Sequence, residues 1–130
     1  MFAYLAEAVP MNALAISAFL DTPTSPFLSP QKVAQRLSLK IEDLAQSAHV
    51  HRNSLRVRPQ GAKIQNFLRQ LVRVISAAEA AFGNRDTAIA WLMNEPLAAF
   101  EHRTAFDLVR QERTDDVVAY LGSINSGFAG

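Results

Sequence analysis

The chain has 130 residues, 49% of them apolar, with a formal net charge of +1 and no cysteine. That length makes one domain, or two small ones sharing a helix, and the apolar content excludes a disordered chain. The lack of cysteine excludes disulfides, thiolate metal centres and cysteine nucleophiles.

The near-neutral total conceals an uneven layout. Residues 31–75 carry nine basic side chains against only Glu42 and Asp43, whereas residues 76–130 carry four against eight acids. A concentrated basic segment is the electrostatic footprint of a polyanion binder. The acidic remainder is left to face something else, so two surfaces for two partners is the first functional expectation.

In chain order, Met1–Leu20 is apolar but is interrupted by Glu7 and Pro10 and has no basic leader, so it reads as a packing or self-association arm, not a signal peptide. No run approaches bilayer-spanning length; a cytoplasmic location without membrane contact is expected. Asp21–Pro26 is a loop by its Pro and Ser/Thr content. Ser29-Pro30 reads as an N-cap with Pro at the first helical position, opening a helix through Val33, Ala34 and Leu37. Ile41–Ala48 is a second short helix with Ile41, Leu44, Ala45 and Ala48 on one face, and Arg52–Val57 is a third, ended by Pro59. From Ala62 to Phe82 apolar residues recur at Ile64, Phe67, Leu68, Leu71, Val74, Ile75 and Ala78, the 3.6-residue period of a long amphipathic helix. Gly83-Asn84 stands in its C-cap position. Beyond it, Asp86–Met93 is read as a helix, Pro96–Phe100 as a turn and Thr104–Val109 as a short helix. A final helix is capped by Thr114, with Asp115 and Asp116 complementing its dipole, and Ser126–Gly130 is expected as an exposed tail. The predicted fold class is all-α, with an arm (1–28), a helix-turn-helix part (29–75) and a small helical part (76–130) joined through the long helix.

The second and third helices have the spacing of a helix-turn-helix: a small residue at the crossing (Ala45), an apolar residue in the turn (Val50) and an inward residue on the second helix (Leu55). His51, Arg52, Asn53, Ser54 and Arg56 then point outward. Arg reaches guanine O6/N7 and Asn adenine N6/N7 in the major groove, whereas Lys40, Arg58 and Lys63 suit phosphates. The competing reading is an ordinary helical corner whose arginines form a solvated face. Three features depart from the motif: His49 where glycine is usual, Arg58 where an apolar residue is expected, and Pro59, which shortens the reading helix.

Other chemistry is sparse. His49, His51 and His102 lack acidic partners at metal-ligand spacing, so no metal and no cofactor are expected. Trp91 reads as a core residue, and no phosphate loop or acid/base constellation is present, so an enzyme is not expected.

The segments Phe82–Leu92, Asn94–Phe100, Arg103–Leu108 and Val117–Gly127 together resemble the MbcA/ParS/Xre antitoxin toxin-binding domain, and Ile41–Arg58 resembles the Xre-like helix-turn-helix that accompanies it. Three positions depart from the pattern: His102 where glycine is common, Ala105 where proline is common, and Arg113 where glycine often stands. The resemblance implies an antitoxin that masks a RES-domain toxin degrading NAD and represses the shared operon as a homodimer or a higher assembly with the toxin. The alternative is an operator-binding repressor with no toxin partner. On the antitoxin reading, Arg103, Thr104, Tyr120 and Ile124 would surround the toxin contact. Ser126, Gly127, Phe128 and the Gly130 carboxylate would form a flexible plug entering or rimming the toxin's NAD pocket.

Overall fold

A computed structural model describes residues 17–127, with side chains described as far as Ile124. Its elements are α1 (Pro30–Arg36), α2 (Ile41–Ser47), α3 (Arg52–Val57), α4 (Ala62–Phe82), α5 (Arg85–Asn94), a 3-10 turn (Ala98–Phe100), α6 (Ala105–Arg110) and α7 (Thr114–Gly127). The fold is all-α: among the described residues the only β pairing is two isolated bridges, Leu20 with Leu28 and Leu97 with Arg103. No helix of the described residues is long and apolar enough to cross a membrane. The chain divides into two compact units, the first ending at Val72 and the second starting at Arg73, so the boundary falls inside α4.

The first unit is built by local signals that agree with one another. The Ser29 hydroxyl accepts the Lys32 N–H and Pro30 occupies the first turn of α1, so one of that helix's unpaired amides is satisfied and another is removed. Val33, Ala34, Leu37, Leu44, Ala45, Ala48 and Leu55 are buried, which places the inner faces of α1, α2 and α3 on one core. Residues 1–16 of the expected arm lie outside the described residues. The following stretch is part of the core: Phe19 is 1% exposed, and its carbonyl accepts the Ser29 N–H at 2.7 Å.

One buried polar side chain ties this unit together. Gln65, in the first turns of α4, is 2% exposed. Its Oε1 accepts the Leu28 N–H at 3.0 Å, and its Nε2 donates to the carbonyls of Leu28 and Pro59, both at 2.8 Å. The residue before the α1 cap and the residue after α3 are therefore held by one carboxamide.

In the second unit, Gly83 adopts φ +78° and donates its N–H to Glu79 O, ending α4 in the left-handed turn that glycine permits. Asn84 does not extend that C-cap. It is the N-cap of α5, its side-chain oxygen accepting the Thr87 N–H at 2.9 Å, so α5 begins at Arg85, one residue before the sequence-predicted start. Thr114 is likewise the first residue of α7 and not its cap; the Arg113 carbonyl accepts the Val117 N–H, which puts Arg113 in the cap position. The helix continues through Gly127, so Ser126 and Gly127 are helical and do not belong to a tail. Trp91 is not core: it is half-exposed, with its ring 5.6 Å from that of Phe82, while Ala88, Ile89 and Leu92 form the buried face of α5.

Replacing Gln65 with Leu leaves the Leu28 amide and carbonyl buried without their side-chain partner, each worth about 1–3 kcal/mol, and removes the part-buried bond to the Pro59 carbonyl. We expect Gln65→Leu to destabilise the first unit by about 2–6 kcal/mol in urea denaturation followed by circular dichroism. A loss below about 1 kcal/mol contradicts this role.

Candidate functional site

α2 and α3 form the helix-turn-helix corner. The turn needs a left-handed residue, and His49 supplies it with φ +60°, which explains why glycine is usual there. The Val50 N–H then returns to Ala45 O at 3.0 Å. α3 starts at a His51 cap whose Nδ1 accepts the Asn53 N–H at 3.2 Å, so that ring nitrogen is engaged with backbone. Leu55 anchors the helix inward, and Arg52, Asn53, Ser54 and Arg56 are exposed around it. Arg58 ends α3 as an exposed C-cap, because the residue before Pro59 is excluded from helical geometry. Lys40 precedes α2 as its cap residue and Lys63 lies in the first turn of α4, both exposed.

Some cations of the basic segment are held by partners, and others, including Arg69 on α4, are in no ion pair among the described residues. Lys32 donates to the carbonyls of Leu20 and Asp21, and Arg73 is paired with Asp115 at 2.7 Å. Among the described residues, no ion pair holds Lys40, Arg52, Arg56, Arg58 or Lys63. A groove of about 390 Å³ has Leu28, Ile41 and Leu55 in its lining together with Arg52, Asn53 and Arg56 and the acids Asp21 and Glu42.

In the second unit the acids are largely committed. Asp116 pairs with Arg113 at 2.9 Å, Asp107 with Arg110 at 3.5 Å and Glu79 with Arg85 at 3.4 Å. Asp115 and Asp116 stand in the first turn of α7, as the dipole argument expects, and each also holds an arginine. Thr104 caps α6 by accepting the Asp107 N–H at 3.1 Å. Arg103 is half-exposed, its guanidinium reaching Gln111 at 3.4 Å and Glu101 at 3.8 Å. Tyr120 stacks edge-on against Phe100 with centroids 5.6 Å apart, and the Arg113 guanidinium lies 5.4 Å from the Phe100 centroid. This Tyr120–Phe100–Arg113 stack is half-exposed and joins the Arg103 turn through the Arg103 N–H to Phe100 O hydrogen bond at 3.1 Å. Sequence reasoning placed Tyr120 and Arg103 at a candidate surface but missed Phe100 and Arg113, which the fold brings to the same place. Ile124 is half-buried on α7, and Phe128 and Gly130 lie outside the described residues.

The departures from the antitoxin pattern acquire physical reasons here. His102 has φ +65° directly after Glu101 at φ +61°, a left-handed pair that favours glycine. Ala105 is the first residue of α6, where proline is preorganised. Arg113 covers Phe100 and pairs with Asp116, contacts that glycine lacks.

Residues 77–127 match the family described as the antitoxin Xre/MbcA/ParS C-terminal toxin-binding domain. Among solved structures, the chain is similar to one from the M. tuberculosis MbcT-MbcA toxin-antitoxin complex, at 26% identity and a TM-score of 0.54, over 76% of this chain and 92% of that one. That share exceeds the length of chain from residue 77 onward, so the likeness extends into the first unit. Comparison with curated proteins found no match.

His102→Gly relieves a left-handed side-chain conformation and should raise stability by about 0.5–1 kcal/mol, read as a higher unfolding midpoint. An unchanged or lowered midpoint contradicts the assignment of strain to this turn.

Proposed function

We propose that the chain is a non-enzymatic antitoxin that binds and neutralises a RES-domain toxin degrading NAD, and that its first unit represses the shared operon by binding operator DNA. The observation that carries the reading is the match of residues 77–127 to an antitoxin toxin-binding domain. The likeness to a chain of the MbcT-MbcA complex over three-quarters of the length supports it. The exposed α3, whose cations are in no ion pair among the described residues, supports the DNA-binding half.

On this reading Arg52, Asn53 and Arg56 face base edges from α3. Lys40, Arg58 and Lys63 bind phosphates, and His51 and Ser54 flank the contact. A six-residue reading helix offers few contacts, so two or more copies on a palindromic operator are expected. The toxin contact is assigned to the Tyr120–Phe100–Arg113 stack, Arg103, Thr104 and Ile124, continued by Ser126 and Gly127 at the end of α7. Phe128 and Gly130 would then enter or rim the toxin's NAD pocket.

Co-expression with a cognate RES-domain toxin should restore growth and cellular NAD, and removal of Phe128–Gly130 should abolish that protection while helix content is kept. Full protection by the truncated chain would move inhibition to the helical face alone, and continued NAD loss with the intact chain would refute the antitoxin reading. For DNA, Arg52→Ala should reduce discrimination of operator over random duplex by about 1–3 kcal/mol. Lys63→Ala should weaken both duplexes alike and lower the salt slope by about one. Unchanged discrimination in Arg52→Ala shows that α3 is not the reader.

A further inference from the structure

Val57 is 76% exposed, and it is the one large hydrophobic side chain presented to solvent among the described residues. Single exposed apolar residues are common on protein surfaces, so position has to decide its meaning. Val57 is two residues beyond the buried Leu55, roughly 200° round the helix, which places it opposite the anchored side of α3. Asn53 lies four residues earlier, on the same outward face one turn away. Arg56 and Arg58 flank Val57 in sequence, and Arg52 completes the cationic surround of this short helix. The acids that share a groove lining with Arg52, Asn53 and Arg56 are Asp21 and Glu42, and Val57 stands outside that lining. An apolar side chain at the outermost point of a cationic helix fits an occupant that is polyanionic overall yet carries an apolar group at its reading surface. Duplex DNA is such an occupant: the thymine C5-methyl group projects into the major groove between phosphate backbones.

We infer that Val57 packs against a thymine methyl in the major groove and makes the first unit select thymine at one position of each half-site. This rests on the DNA-binding reading above and adds a residue and a base to it. Four helical residues span about 6 Å, so the thymine should lie within about two base-pair steps of the base contacted by Asn53. Removing one methyl group from water is worth about 0.8 kcal/mol, which corresponds to about fourfold in affinity.

The test uses the full chain and duplexes it enriches from a randomised pool. Each thymine in an enriched duplex is replaced in turn by deoxyuridine, which pairs identically and lacks only the C5-methyl. The wild-type chain should lose about fourfold in affinity at one thymine per half-site. Val57→Ala should bind the thymine and deoxyuridine duplexes equally, with its helix content, read by circular dichroism, unchanged because the side chain is exposed. If the wild type ignores every deoxyuridine replacement, or Val57→Ala keeps the methyl preference, the inference is overturned while DNA binding stands. If Val57→Ala instead loses self-association or toxin binding with its methyl preference intact, the residue belongs to a protein contact and the inference fails. If no duplex is enriched at all, the DNA-binding reading falls and this inference with it.

Discussion

The Gln65 carboxamide satisfies three backbone groups from two segments, the buried Leu28 amide and carbonyl and the part-buried Pro59 carbonyl, and sets the geometry of the first unit. Leu28 leads directly into the Ser29 cap of α1, and Pro59 directly follows the Arg58 cap of α3. α3 has six residues and is far too short to be stable by its own hydrogen bonds. Its direction is therefore imposed from outside, by Leu55 packed inward along its length and by Pro59 fixed at its end. A buried amide with every donor and acceptor matched specifies one arrangement, because any slip leaves polar groups without partners.

The two units treat their charges differently, and this bears on what each one does. In the second unit Asp107, Asp115, Asp116 and Glu79 are each paired with an arginine, which leaves a face whose distinguishing feature is the Tyr120–Phe100–Arg113 stack. Aromatic and arginine side chains held in place before binding are the groups that dominate protein–protein contacts, since little side-chain entropy remains to be lost. In the first unit the cations around α3 have no described acid to hold them, as expected of groups whose counter-charge is supplied by a partner. One chain thus presents a preordered apolar-cationic stack in one unit and a set of cations without ion pairs in the other.

Much of this was legible in the sequence because it is written in short-range chemistry. The Ser29-Pro30 start, the Pro59 stop and the Gly83 turn bound α1, α3 and α4, and the apolar period from Ile64 to Ala78 fixes the buried face of α4. What escaped depends on distant partners. Gln65 lies beside the apolar positions of an amphipathic helix and resembles any solvated glutamine until Leu28, 37 residues away, is placed against it. The Phe100–Tyr120 contact likewise joins residues with no local relation. Trp91 was misread because its size favours burial, whereas α5 already fills its inner face with Ala88, Ile89 and Leu92 and leaves the indole to pack on Phe82. Asn84 was misassigned because asparagine suits both the end of one helix and the start of the next, and only the hydrogen bond to Thr87 decides between them.

The central claim is that toxin neutralisation and DNA reading are carried by different units of one chain. Reversing the charge of Arg52 and Arg56 together in the full-length protein, with operon expression and protection from the toxin measured in the same cells, tests it most directly. The account predicts that repression is lost while protection persists, because neither side chain belongs to the unit containing residues 77–127. Loss of both activities by a variant that retains its helix content, or retention of repression, would contradict it.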